Sequence, residues 1–379
     1  MFEVNIAVML VVCLIVLVAM GVHIAISLGM TSALGIFFTT GADSYAFETV
    51  QRMLAATAYE AIRAYVFAVI PLFMLMGEFI GKSGVVTDVY RGINKLLHRI
   101  PGRLALATII GNALFSFVTG VSIASAAAFS RIAYPEMKRF GYHKGFALGS
   151  IVGSSCLGML IPPSVLMIVW GILTEQSIGR IFAAGVFPGA LLMSLFLIYV
   201  VFMALWKPEI VGEGKYSEVE IDKQLNGDKE DEVSIPQFLI SLGGIFLVIF
   251  AVLGGIITGF FTPTEGAGAG AIIGLALGII KGMRFRDVID AILSVGRTSA
   301  PILLLLVTAA LYSRTLAMTG MANAIEGVFL NSGMEPWMII SVMVMIWFLL
   351  GMIIDSISIM LVTAAMFAPI GMKMGYDAI

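Results

Sequence analysis

Hydrophobic positions in this chain come in long unbroken runs, with no period-two alternation of apolar and polar residues. Apolar segments occupy 5–38, 66–80, 104–130, 145–174 and 180–206, and then 236–258, 263–282, 299–318, 336–354 and 356–371. Runs near 20 residues match the hydrocarbon thickness of a bilayer, and their continuity argues against a β-barrel. The pattern predicts an all-α polytopic membrane protein. The first run, from about Ile6, has no basic n-region and outlasts a signal peptide, so it reads as a retained span. The two groups of segments are separated by an acidic stretch at 207–235. From Lys207 to Ser234 it holds nine acids against four lysines, interspersed with Gly212, Gly214 and Gly227. That composition reads as a solvated linker between a first half, 1–206, and a second half, 236–379.

Segment length and flanking charge refine this picture. Residues 104–130 are long for one crossing and suit two half-depth helices joined by a turn. Upstream stand Arg91, Lys95, Arg99 and Arg103, and downstream Arg131, Lys138, Arg139 and Lys144. Short basic flanks prefer the cytoplasm, so the segment is expected to enter and leave by one face, as a re-entrant hairpin with its tip at Thr119–Ser122. Residues 337–371 form the second expected hairpin. Between Met321 and Trp337 there is no Lys or Arg, only Glu326 and Glu335, which suits the opposite face.

The two hairpins also resemble each other. TGVSIASAAAFSRIAYPEMKRFGYH around Gly120 is echoed by IDSISIMLVTAAMFAPIGMKMGYD near the end. Ser122 aligns with Ser356, Ile123 with Ile357, Pro135 with Pro369, Gly141 with Gly375 and Tyr142 with Tyr376, all 234 positions apart. Paired polar, Gly-containing interruptions in corresponding halves are the best sequence pointer to the binding site of an inverted-repeat secondary transporter. After the first copy comes a broken helix, 145–174, interrupted at Ile161-Pro162-Pro163-Ser164. Its counterpart would fall near position 396, so the second half is expected to lack its C-terminal spans.

Composition agrees with this class and removes others. The chain is 60% hydrophobic and 12% charged with a mean hydropathy of +1.03, against about 25% charged in soluble domains. Its net charge of −2 and the absence of a basic domain give no reason to expect nucleic acid. Cys13 and Cys156 lie in apolar runs, and His23, His98 and His143 are scattered, so neither disulfide nor metal-ligand spacing emerges. No nucleophile–base pair, phosphate loop or dinucleotide fingerprint is present, so no enzyme is expected. An intramembrane hydrolase or lipid phosphatase would need a base at the tips, which offer only Ser and one Asp. A channel would need a continuous polar lining.

The candidate chemistry lies at the interruptions. Thr119, Gly120, Ser122 and Ser125 combine hydroxyls with carbonyls freed by a turn, hard oxygen ligands suited to Na+. The helix after the turn aims its N-terminus at the same place, which favours a carboxylate. In Gly158…Pro162-Pro163-Ser164, Pro163 supplies no amide and clashes with the carbonyl four residues back, so the ladder breaks near Gly158–Met159. Unwound backbone at membrane depth survives only when buried or facing a water-filled cavity. Asp355 beside Ser356 costs roughly 2.5–3.5 kcal/mol at membrane depth and needs a partner, either a bound Na+ or a local Ser or backbone amide. Thr262 or Thr264 caps a Gly/Ala-rich helix with Glu265 in its first turn. Arg63, Arg131 and Arg314 could meet an anionic substrate or anchor the chain at the interface.

These stretches together resemble the large membrane subunit of tripartite ATP-independent periplasmic (TRAP) transporters, the DctM type. The matching residues are TGVSIAS, GMLIPPSVLMIVWGILTEQSIGRIFAAGVFPG at 158–189, FTPTEGAGAGA and GMIIDSISI, and the similarity spans nearly all of the chain. The resemblance implies an inverted-repeat elevator-type symporter of the bacterial inner membrane, driven by two or more Na+. It implies a small four-helix membrane subunit and a periplasmic binding protein that delivers an organic acid, a dicarboxylate or sialic acid among the candidates. An elevator symporter that takes dicarboxylates without a binding protein is the alternative. Carried onto this sequence, the family's ion sites fall on Gly120 and Ser122 with Gly158 and Pro162, and on Asp355 with Ser356. Substrate contacts fall on Thr119, Ser122, Ser125, Ser164 and Ser356. Val121 and Ile123 stand where relatives often have small hydroxyl residues, and His23 where Pro is common.

Overall fold

The computed structural model describes residues 2–212, 234–320, 327, 333–352 and 354–377. Most of the acidic linker and most of the stretch preceding the second hairpin, Glu326 included, lie outside the described residues. Among the described residues there are helices and turns and no strand, and six helices are long and apolar enough to cross a membrane, seven if the bent last helix is added. The chain is an all-helical polytopic membrane protein.

Its helices are α1 Phe2–Ala19, α2 Ile24–Thr39, α3 Ser44–Arg63, α4 Val69–Lys82, α5 Val85–Leu96, α6 Arg103–Thr119, α7 Ser122–Arg139, α8 Lys144–Ser155, α9 Leu157–Leu160, α10 Val165–Leu173 and α11 Ile178–Trp206. After the linker come α12 Ile235–Val248, α13 Pro263–Ile280, α14 Phe285–Met318, α15 Pro336–Gly351 and α16 Ser356–Lys373. Past α12 the helix continues through a wider π-helical stretch, Ile249–Gly254.

Three differences from the hydropathy pattern have local causes. The apolar run 5–38 is two helices, because Gly21 takes a left-handed φ of +83° and His23 caps α2, its Nδ1 accepting the Ala25 amide at 3.3 Å. Helix α7 runs past Ser130 to Arg139, since its polar last turns are helical without being apolar. Helix α14 begins at Phe285 rather than near 299, its first part being too charged to register as apolar.

The chain divides into two compact units. The larger, Ala68–Ile168 and Ile178–Gly296, is organised by close helix pairs. Helix α13 lies against α4 through small residues: a Cβ on Gly270 would stand 2.3 Å from Met76 Sδ, and one on Gly274 3.2 Å from the Met76 carbonyl. That is the small-residue packing expected where no hydrophobic drive exists between helices in lipid. Thr262 opens α13 with a capping box, its hydroxyl accepting the Glu265 amide at 3.3 Å while Glu265 accepts the Thr262 amide at 2.8 Å. Polar contacts knit α5 to α12 and α13, since Asp88 accepts from Ser241 Oγ at 2.8 Å and ion-pairs with Lys281.

The smaller unit, Met1–Phe67, Val169–Ser177 and Arg297–Ile379, holds α1 to α3, most of α14, and α15 with α16. There Arg314 ion-pairs with Glu60 and donates to Thr57 Oγ1 at 3.2 Å. The guanidinium is thus engaged by α3.

Candidate functional site

Helices α6 and α7 fold back on each other about Gly120 and Val121. Gly111 and Phe129, nine residues on either side of Gly120, touch so closely that a Cβ on Gly111 would stand 2.7 Å from the Phe129 ring. Gly120 makes the turn, with φ +61°, and Val121 is extended. Here the C-terminal, electronegative end of α6 meets the N-terminal, electropositive end of α7, whose first amides have no side-chain cap.

The broken helix seats against this turn. Its ladder fails after α9: Pro163 supplies no amide to the Met159 carbonyl, and the Ser164 hydroxyl donates to that carbonyl instead, at 2.7 Å. The Val165 amide, first in α10, donates to the Gly120 carbonyl at 3.1 Å. A Cβ on Gly120 would lie 2.4 Å from the Pro163 carbonyl oxygen, and one on Gly158 would lie 3.2 Å from the Ser122 amide nitrogen. Gly120, Ser122, Gly158, Pro162 and Ser164 therefore form one continuous patch of backbone, with Pro162 and Ser164 buried.

The hydroxyls at this patch differ in state. Thr119 donates to the Phe115 carbonyl at 3.1 Å and Ser164 is committed to Met159. Ser122 is 8% exposed. Ser125, one turn into α7, is fully buried, and its Oγ has no hydrogen-bond partner. Asn112 on α6 donates to Ser154 Oγ at 2.6 Å and to the Ile151 carbonyl at 3.3 Å, while its own Oδ1 is buried without a partner. A buried orphan acceptor costs about 1–3 kcal/mol, so such atoms mark places where a ligand is worth most. Sequence reasoning missed Asn112; a lone amide inside an apolar run was the available signal.

The second tip, in the smaller unit, has the same fold-back. About Asp355, Trp347 and Thr363 are eight residues to either side, and Trp347 Nε1 donates to Thr363 Oγ1 at 2.9 Å. Ile339, Met343, Phe367 and Ile370 pack as one apolar cluster between the arms. Pro369 cannot donate to the Ala365 carbonyl, and α16 bends by 60° there. Asp355 is the N-cap of α16, accepting the Ser358 amide at 3.1 Å and the Ser358 hydroxyl. The carboxylate thus has a local Ser and amide partner and is exposed, as is Ser356. Position for position, Asp355 and Ser358 stand where the first tip has Val121 and Ala124.

Among the described residues no group of three His, Cys, Asp or Glu side chains gathers, and the donors at the two tips are carbonyls, hydroxyls and the Asp355 carboxylate. No base stands within hydrogen-bonding range of Ser122 or Ser356 among the described contacts, so neither is set up as a nucleophile.

Two helical hairpins and a twice-interrupted helix in a polytopic membrane protein are features found in transporter folds. The sequence matches the family model for the tripartite ATP-independent periplasmic transporter, DctM component, over residues 11–379, and the chain belongs to that family. It is 31% identical over 93% of its length to 78% of the C4-dicarboxylate TRAP transporter large permease protein DctM of Pseudomonas aeruginosa. It is 28% identical over 97% of its length to 81% of the ectoine/5-hydroxyectoine large permease UehC of Ruegeria pomeroyi. Against the sialic acid large permease SiaM of Vibrio cholerae it is 26% identical over 82% of its length and 70% of the relative. The protein is a TRAP transporter large permease, a multi-pass protein of the bacterial inner membrane.

Proposed function

We propose that this permease imports an organic acid by Na+-coupled symport, with the Gly120–Ser125 tip and the Pro162–Pro163 break forming one ion and substrate site. The observation that carries it is the buried, unpartnered Ser125 hydroxyl one turn from a left-handed Gly120 whose carbonyl sits at the α6 terminus. A carbonyl has two lone pairs, so the Gly120 oxygen keeps one for a cation after accepting from Val165. The negative end of α6 favours that cation, and the uncapped amides opening α7 favour a carboxylate beside it. Ion and acid then stabilise each other's binding, which is the requirement for coupling.

Relatives named for C4-dicarboxylates and sialic acid support a carboxylate cargo, and their TRAP designation supports a small membrane subunit and a periplasmic binding protein as partners. The hairpins and broken helix would move together as an elevator while the remaining spans stay fixed. Asp355 and Ser356 would serve a second Na+, the carboxylate exchanging one Ser358 contact for the ion.

The test is uptake into proteoliposomes holding the permease and its small subunit, with a loaded binding protein outside and a C4-dicarboxylate or sialic acid as labelled cargo. Uptake should need an inward Na+ gradient and the binding protein. Equal uptake in choline would reject Na+ coupling, and equal uptake without the soluble protein would favour the binding-protein-independent reading.

A further inference from the structure

Away from the tips, the larger unit carries a cleft of about 360 Å³ between α5 and the last turns of α7. Three arginines reach it: Arg91 from α5, and Arg131 and Arg139 from α7. Glu136 is the carboxylate in its wall, leaving an excess of two positive charges, and Thr87, one turn before Arg91, adds a hydroxyl.

On α7 the lining residues Arg131, Ile132, Pro135, Glu136 and Arg139 share a stripe, and Pro135 supplies no amide to the Arg131 carbonyl, leaving that oxygen without its helical donor. Helix α5 is amphipathic: Val85, Val86, Val89, Tyr90 and Ile93 are buried while Arg91 and Lys95 stand on its other side. Such a helix suits the plane of the membrane interface.

We propose that this cleft binds a phosphate group, carried by an anionic phospholipid headgroup or arriving as free phosphate. Guanidinium forks match phosphate oxygens two at a time, and basic pockets between helices at the membrane surface recognise anionic headgroups. Arg91, Arg139 and Glu136 already have protein partners, and a guanidinium with five donors shares them with an arriving oxygen. The site lies at the C-terminal end of α7, where the helix dipole opposes an anion, so binding rests on the side chains. Ile132 and Pro135 give the wall an apolar part that a glycerol backbone can cover. The bound group would tie α5 to the outer arm of the first hairpin, independently of the Na+ reading.

The experiment uses the delipidated full permease with its small subunit. Phosphatidylglycerol, phosphatidylcholine and inorganic phosphate are added separately, with adducts read by native mass spectrometry and stability by melting. The paired substitution Arg131→Gln with Arg139→Gln is expected to weaken phosphatidylglycerol binding by about tenfold or more. Phosphatidylglycerol retained by the wild type and lost by the variant supports the site with lipid as its source. Stabilisation by inorganic phosphate, lost in the same variant, supports it with a soluble source. Indifference of the wild type to both, or undiminished binding in the variant, overturns it. Should the Gln pair misfold, Arg131→Lys with Arg139→Lys keeps the charge and loses the fork, and full affinity there overturns the assignment.

Discussion

The Gly120 carbonyl accepts the Val165 amide at 3.1 Å, so the tip of the first hairpin and the restart of the broken helix share one hydrogen bond. Neither can shift without the other, because Gly120 and Pro163 also touch backbone to backbone.

Gly120→Ala should therefore be severe. A Cβ there meets both a φ of +61° and an oxygen 2.4 Å away, and strain of this kind costs about 1–3 kcal/mol before any repacking. Gly158→Ala, whose nearest contacts are 3.2 Å, should cost less. Melting of the purified variants gives the order, and the reverse order would contradict the seating described for the tip.

Ser125→Ala removes a hydroxyl with no partner, so without Na+ the variant should melt at or above the wild-type temperature, by up to about 1–3 kcal/mol of relieved desolvation. Raising Na+ should then stabilise it less than the wild type. Comparing melts in Na+ and choline measures both. An undiminished Na+ response would remove Ser125 from the ion site.

Asp355 can be dissected by two substitutions. Asn is as good an N-cap as Asp, so Asp355→Asn should keep the start of α16 while losing the charge, whereas Asp355→Ala should lose about 0.5–2 kcal/mol of capping as well. If Asp355 serves only as a cap, Asn will transport normally and Ala will not. If it binds Na+, both will lose Na+ dependence.

The Asp88–Lys281 pair is partly buried, the side chains 23% and 15% exposed, and Ser241 donates to the same carboxylate. Lys281→Met should destabilise by about 1–3 kcal/mol, less than a fully buried pair, because Asp88 keeps the Ser241 hydroxyl. A double-mutant cycle with Asp88→Asn, read by chemical or thermal unfolding, should give a coupling energy clearly above zero.

The helical class and the family were legible because they are written in long-range redundancy: apolar runs, a repeat at fixed spacing, and Pro162-Pro163, which cannot continue a helix. What the sequence hid was pairwise. Ser164 is a plausible ligand as a hydroxyl beside a break, yet it spends its proton on the Met159 carbonyl that Pro163 strands. Asp355 left two partners open, and its contact with Ser358 depends on a cap geometry that composition does not express. The Gly21–His23 turn escaped because hydropathy averages over the few residues that break a helix. Asn112 escaped because one amide does not disturb an apolar window.

The unlike caps of the two tips bear on electricity rather than on shape. Val121 leaves the first tip with neutral oxygens, while Asp355 gives the second a full negative charge. Under the proposed coupling, an ion in the first tip would carry its whole charge through the membrane field, about 2.3 kcal/mol per 100 mV for a complete crossing, while one beside Asp355 would travel nearly cancelled. The first-tip ion would then make the loaded crossing sense the voltage, and the bare Asp355 carboxylate would make the empty return sense it. The net charge per imported acid would still be set by the ions carried less the charge of the acid, so the two tips would divide the voltage dependence between the two halves of the cycle.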